Sequence, residues 1–224
     1  IKQTEKFILN NENKKIKKFF NCKNPRDVVA EFFYIIANLY SSEQDYKLSN
    51  FYTKISLFLN NKFVANNALL AENYRNQKKN DLSKDIFKSL KRIGSEYSWY
   101  ASKQISRILF DIKGKKYAVD NLEKEFYSIK NKNFEHYYEL ANFYKDNEYY
   151  EESIKYYTLT LNELKQDHFL VPKILDRRGT SFERINDWEN GEKDLIKSLK
   201  ILPDQARVLN YLAYTWVDKG INVD

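Results

Sequence analysis

The chain has 224 residues, 42% hydrophobic and 16% aromatic, which is enough to fill a core and too apolar for a disordered segment. One cysteine, Cys22, excludes an internal disulfide framework and a cysteine-rich zinc site, while five Gly and three Pro are too few for the dense turns of a β-sandwich. The net charge of +7 is concentrated at one end: residues 1–29 hold eight Lys/Arg against three Asp/Glu, so the rest of the chain is close to neutral.

In chain order, Phe7, Ile8, Ile16, Phe19 and Phe20 recur at roughly helical spacing around the basic cluster Lys14–Lys18. This predicts an amphipathic helix with a solvated basic face in residues 1–29, acting as a cap or as the second helix of a preceding unit. Asn24-Pro25 predicts a helix start, because Asn caps free amides and Pro suits the first helical position. The longest apolar run, Phe32 to Ala37, is six residues, far short of the roughly 20 needed to cross a bilayer. With no Met and an Ile at position 1, the sequence is expected to be a piece of a longer or processed polypeptide.

From Ala30 the chain repeats, with unit starts at Ala30, Val64, Trp99, Phe134, Pro172 and Ala206. The eighth place of each unit is small: Ala37, Ala71, Ser106, Ala141, Gly179 and Ala213. So is the twentieth: Ser49, Ser83, Ala118, Ser153 and Gly191. The eleventh is large, with Tyr40, Tyr74, Leu109, Tyr144, Phe182 and Trp216, and the seventh is aliphatic except at Arg178. Places 4, 7, 8 and 11 run down one helical stripe, and places 20, 24 and 27 form a second stripe beyond a polar turn such as Gln44-Asp45 or Asn186-Asp187. Each unit is therefore expected to be two antiparallel helices, with small residues where the backbones approach. One pair cannot bury both faces, so neighbouring pairs must stack. The expected organisation is an N-terminal helix or cap over 1–29, five full units over 30–63, 64–98, 99–133, 134–171 and 172–205, and the first helix of a sixth over 206–224. The fourth unit carries four extra residues near Lys165–Phe169, a length that fits one more helical turn or a longer loop.

The pattern resembles the tetratricopeptide repeat (TPR) family. The fifth unit carries it best, in Leu175, Gly179, Phe182, Trp188, Gly191, Leu195 and Pro203. Departures are the absence of that closing Pro from the other units and Glu125 at a usually small place. The stretch Asp204–Asp224 further resembles long repeat proteins of α-proteobacteria, whose cytoplasm and periplasm are both compatible with this sequence. The resemblance implies an all-α fold, a right-handed α-α superhelix, with five full repeats and a half repeat. It also implies a concave surface lined by places 2, 5, 9, 12 and 13 of the first helices. Among these are Tyr34, Asn38, Glu72, Arg75, Lys103, Arg107, Tyr138, Asn142, Lys145, Asp176, Arg184, Asn210 and Tyr214. All thirty such positions hold seven basic and eight acidic residues, which argues against nucleic acid there and suits an extended peptide or a partner helix. The pattern by which some relatives clamp a chaperone's C-terminal carboxylate is incomplete in every window, though Lys103, Arg107, Lys173 and Arg177 are placed to attract an acidic segment.

Catalytic signals are weak throughout. There is no Gly-rich phosphate loop, paired-His motif or Cys pair, and the two histidines, His136 and His168, read as surface or hydrogen-bonded groups. The sequence therefore points to a non-enzymatic scaffold that binds another protein and requires no cofactor or metal. The alternatives are a repeat arm of a larger enzyme, such as a glycosyltransferase, or a nucleic-acid binder acting through residues 1–29. An uncovered sixth helix, with Leu209, Leu212 and Trp216, predicts a C-terminal edge open to self-association.

Overall fold

In the computed structural model, residues 19–220 are described, and the amphipathic helix expected before them lies, up to residue 18, outside that range. Eleven α-helices and no strands occur among the described residues. They are α1 (Pro25–Ser42), α2 (Tyr46–Leu59), α3 (Val64–Asn76), α4 (Asn80–Leu90), α5 (Ser95–Lys113), α6 (Lys115–Ser128), α7 (Phe134–Asp146), α8 (Tyr150–Glu163), α9 (Val171–Arg184), α10 (Trp188–Ile201) and α11 (Ala206–Lys219). The fold class is all-α, built from successive helix-turn-helix pairs. The chain divides into two compact units, Ile1–Glu125 and Phe126–Asp224.

In the first unit, α1 opens as its sequence dictates: the Asn24 side chain accepts from the Arg26 amide at 3.1 Å, and Pro25 begins the helix. The pair α1–α2 meets at Ala37 and Ser49, both fully buried. There the Ser49 hydroxyl donates to the Ala37 carbonyl at 2.8 Å, and one turn-pair away Ser56 donates to Ala30 at 2.5 Å. The pair α3–α4 repeats the device, with Ser83 donating to the Ala71 carbonyl at 2.7 Å. Small size is thus half of the requirement at the twentieth place, and the hydroxyl latches the two helices together. Phe87, Leu90, Ile105 and Ile108 form the core around Ala71 and Ala101. Between α1, α2 and α3, Asn73 accepts from Ser41 at 2.7 Å and donates to Ser49 at 2.6 Å and to Asn50 at 3.1 Å. Glu125, the large residue at a small place, is accommodated by an ion pair with Lys91 at 2.6 Å and a hydrogen bond from Ser102 at 3.2 Å.

In the second unit, α7–α8 meets at Ala141 and Ser153, again fully buried. Here Ser153 donates to the Tyr150 carbonyl at 2.8 Å and meets the Ser181 hydroxyl of α9 at 2.9 Å. The pair α9–α10 meets at Gly179 and Gly191, and a Cβ on either glycine would lie 2.9 Å from the other's carbonyl oxygen. Arg178, the exception at the seventh place, grips Asp194 of α10 with two hydrogen bonds (2.7 and 2.8 Å) and donates to Thr158 of α8 at 2.8 Å. An aromatic layer joins α7 and α8: Tyr156 stacks on Tyr144 (5.5 Å between centroids) and lies near-parallel to Tyr137 (6.4 Å). The four extra residues enter a loop, not a helical turn. Helix α8 ends at Glu163, no longer than α2 or α10, and Leu164–Leu170 spans the gap. That loop is held by His168, whose Nδ1 accepts from the Leu170 amide at 3.2 Å while its ring packs edge-on to Phe134.

The turns inside four pairs share one geometry. Gln44, Lys78, Glu148 and Asn186 take positive φ between 59° and 67°. The amide of the next residue donates back six residues' span to the carbonyl of the eleventh place: Asp45 to Tyr40, Lys79 to Tyr74, Tyr149 to Tyr144 and Asp187 to Phe182, all at 2.8–2.9 Å. This left-handed helix stop satisfies otherwise orphaned carbonyls and reverses the chain.

Candidate peptide-binding face

The candidate residues lie on first helices at spacings of three and four, so each helix presents its own set on one stripe. In the first unit, Tyr34, Asn38, Glu72, Arg75 and Lys103 are half-buried and Arg107 is exposed. Tyr34 packs on Phe63 (5.0 Å), Glu72 accepts from the Tyr100 hydroxyl at 2.5 Å, and Arg75 pairs with Asp111 at 3.2 Å. Burial, and then the Glu72 carboxylate, push the Tyr100 phenol far above its usual range, so Tyr100 remains a neutral donor. Arg107 donates to Gln104 at 3.4 Å.

In the second unit, Tyr138, Asn142 and Lys145 are half-buried along α7, Asp176 is buried, and Arg184, Asn210 and Tyr214 are exposed. Asn142 is held from two sides: its Oδ1 accepts from the Tyr157 hydroxyl at 2.8 Å and from the Arg177 guanidinium at 2.9 Å. This turns its amide nitrogen away from those two partners. Burial raises the Tyr157 phenol, which therefore acts as a fixed donor. Asp176 is engaged by Arg207 through Oδ2. Its Oδ1 is buried without a hydrogen-bond partner among the described residues. Glu183 accepts from the Tyr211 hydroxyl at 2.7 Å and lies 3.6 Å from Arg184. The Lys145 ammonium is pushed down to about 8 by burial, then by Arg177 and Arg207.

Sequence reasoning named Asn142, Lys145 and Arg177 but missed Tyr157, which anchors Asn142 from the second helix. A polar-tipped aromatic at a twenty-fourth place filled by Thr53, Phe87, Leu122 and Leu195 elsewhere was its signal. His136 closes a capping box with Asn133 at the start of α7. Among the described residues, no group of three or more His, Cys, Asp or Glu is placed to hold a metal ion. No helix of these residues is long and apolar enough to cross a membrane.

No family model matches the chain, and no curated protein matches its sequence. Solved structures do match its fold. BtubC (BKLC) from P. vanneervenii aligns with a TM-score of 0.58 at 12% identity, over 78% of this chain and 80% of that one. The nearly identical TPR-like repeats of a kinesin-light-chain-type protein from Podosopora anserina align with a TM-score of 0.58 at 11% identity, over 79% and 96%. Cut9, from the Cut9-Hcn1 hetero-tetramer of the APC/C, aligns with a TM-score of 0.56 at 12% identity, over 86% of this chain and 37% of that one. The fold is that of the tetratricopeptide repeat.

Proposed function

We propose that the chain is a non-enzymatic interaction scaffold that binds a peptide or a partner helix along these stripes of its first helices. The observation that carries this reading is the α7 stripe. Tyr138, Asn142 and Lys145 stand in a row, half-buried, with Asn142 fixed by Tyr157 and Arg177. Side chains fixed in this way lose little further freedom on binding, and Tyr and Arg are the residue types that most often anchor interfaces. The composition of the stripes supports the same reading, since aromatic, amide and mixed charged groups suit side-chain and backbone recognition of a peptide. Cut9, which shares the fold, is found in a hetero-tetramer with Hcn1. The test removes one first-helix side chain from each unit. Arg107→Ala with Tyr138→Ala is expected to weaken capture of the protein's partner at least about tenfold, the effect of losing an anchor, with helicity by circular dichroism unchanged. Undiminished capture by the double variant would count against these stripes.

A further inference from the structure

The outer edge of the first pair, α1–α2, is patterned like a buried surface and lies open. In every first helix after α1, the third and tenth places of the repeat are buried. Within the first unit, the second helix of the preceding pair buries them. Asn66 and Asn73 of α3 donate to the Thr53 carbonyl and to Asn50 of α2, at 2.9 and 3.1 Å. Ala101 and Ile108 of α5 pack with Phe87 and Leu90 of α4. In α1 the third, sixth and tenth places are Phe32, Ile35 and Leu39, which are 60%, 54% and 62% exposed. Their spacing of three and four keeps them on one stripe. Leu48 and Phe51 of α2 extend the exposed face. Phe51 packs edge-on to Tyr52 (5.3 Å), and Tyr52 stacks on Phe33 and Tyr40 of α1, which ties both helices into one surface. A contiguous apolar face of this kind marks an interaction site. The chain itself enters α1 from the side of α3. Phe19 packs on the core around Val64 and Ala71, its carbonyl accepts from Asn60 at 2.8 Å, and Phe20 lies against Phe63 (5.6 Å).

We propose that this edge is a self-association surface, on which α1 of one copy packs against α2 of a second copy, and the reverse, about a two-fold axis running along the helices. The proposal does not rest on the reading of the first-helix stripes as a binding face. Such an interface is self-complementary, because each copy supplies one first helix that lacks cover and one second helix able to give it. It keeps the antiparallel sense in which α2 lies on α3. Charge favours a second copy as the occupant. The hydrogen bonds from Ser56 to Ala30 and from Ser49 to Ala37 set the level of the two helices. Glu31 and Lys54, both exposed, therefore stand level, each on the border of its helix that faces away from the other. The two-fold rotation brings Glu31 of each copy to Lys54 of the other, which gives two opposite-charge pairs at the rim of an apolar centre.

Sedimentation equilibrium of the protein at about 50 µM is expected to give twice the mass of one chain, since an apolar helix-pair interface holds at roughly micromolar concentrations. Phe32→Lys and Leu39→Lys are each expected to weaken the dimer at least about a hundredfold, with helicity by circular dichroism unchanged. Glu31→Lys and Lys54→Glu each place like charges at the rim and weaken it about tenfold. The double variant Glu31→Lys/Lys54→Glu restores the parent affinity, because both pairs form again with their signs exchanged. A monomer overturns the proposal, and if Phe32→Lys then lowers the Tm of that monomer, residues before Phe19 cover the stripe instead. A dimer that both lysine variants leave intact also overturns it and points to another face, such as the edge at α11. A double charge variant that fails to recover overturns the two-fold pairing of α1 with α2.

Discussion

The pair α3–α4 in the first unit and the pair α9–α10 in the second obey the same size rule by different physics. In α3–α4, a serine stands at the crossing and its hydroxyl donates to the Ala71 carbonyl at 2.7 Å, so the helices are held by a directed bond. In α9–α10, both crossing residues are glycine, and the backbones approach until a Cβ on either would sit 2.9 Å from the opposite carbonyl. The latch stands beside the crossing instead, at Arg178, one residue before Gly179, and Asp194, three residues after Gly191, whose side chains are only 18% and 9% exposed. A crossing can therefore be secured at the point of contact or beside it.

The largest effect is expected from breaking the lateral latch. Arg178→Met strands Asp194 as a buried, unpaired carboxylate and should cost about 3–5 kcal/mol in chemical denaturation, with much of the loss recovered in Arg178→Met/Asp194→Leu. Transplanting the first unit's device comes next. Gly191→Ser adds a Cβ where only backbone fits and should cost about 1–3 kcal/mol, and Gly179→Leu at least as much. Thermal melts that match the parent for either would refute the close approach. The reverse experiment is milder: Ser83→Ala keeps the size and loses the bond, for about 0.5–1.5 kcal/mol. The smallest effect has the opposite sign. Glu148→Gly relieves a non-glycine residue at φ 67° and should stabilise by about 0.5–1 kcal/mol, measurable as a raised Tm.

Much of this architecture is written in single residues. The small eighth and twentieth places mark the crossings, and Asn24-Pro25 marks the first helix start, because size and capping act locally. The lateral latch was not legible: Arg178 reads as a break in an aliphatic column until folding brings Asp194, 16 residues on, against it. The serine latch was half legible, since a sequence shows that serine is small without showing where its hydroxyl points. The fate of the four extra residues was equally hidden, because their length fits a helical turn and His168 instead holds them as a loop. On the candidate stripe, the family resemblance names Tyr138, Asn142 and Lys145, but only the packing of α7 on α8 and α9 joins Tyr157 and Arg177 to them.

The proposed binding face is tested most directly by site-specific photocross-linking to the protein's partner. A photoreactive residue at Tyr138, on the α7 stripe, is expected to cross-link the partner in high yield, and one at exposed Lys155 on the second helix α8 is expected to give none. Equal yields from both positions, or yield from Lys155 alone, would contradict the assignment of binding to the first helices.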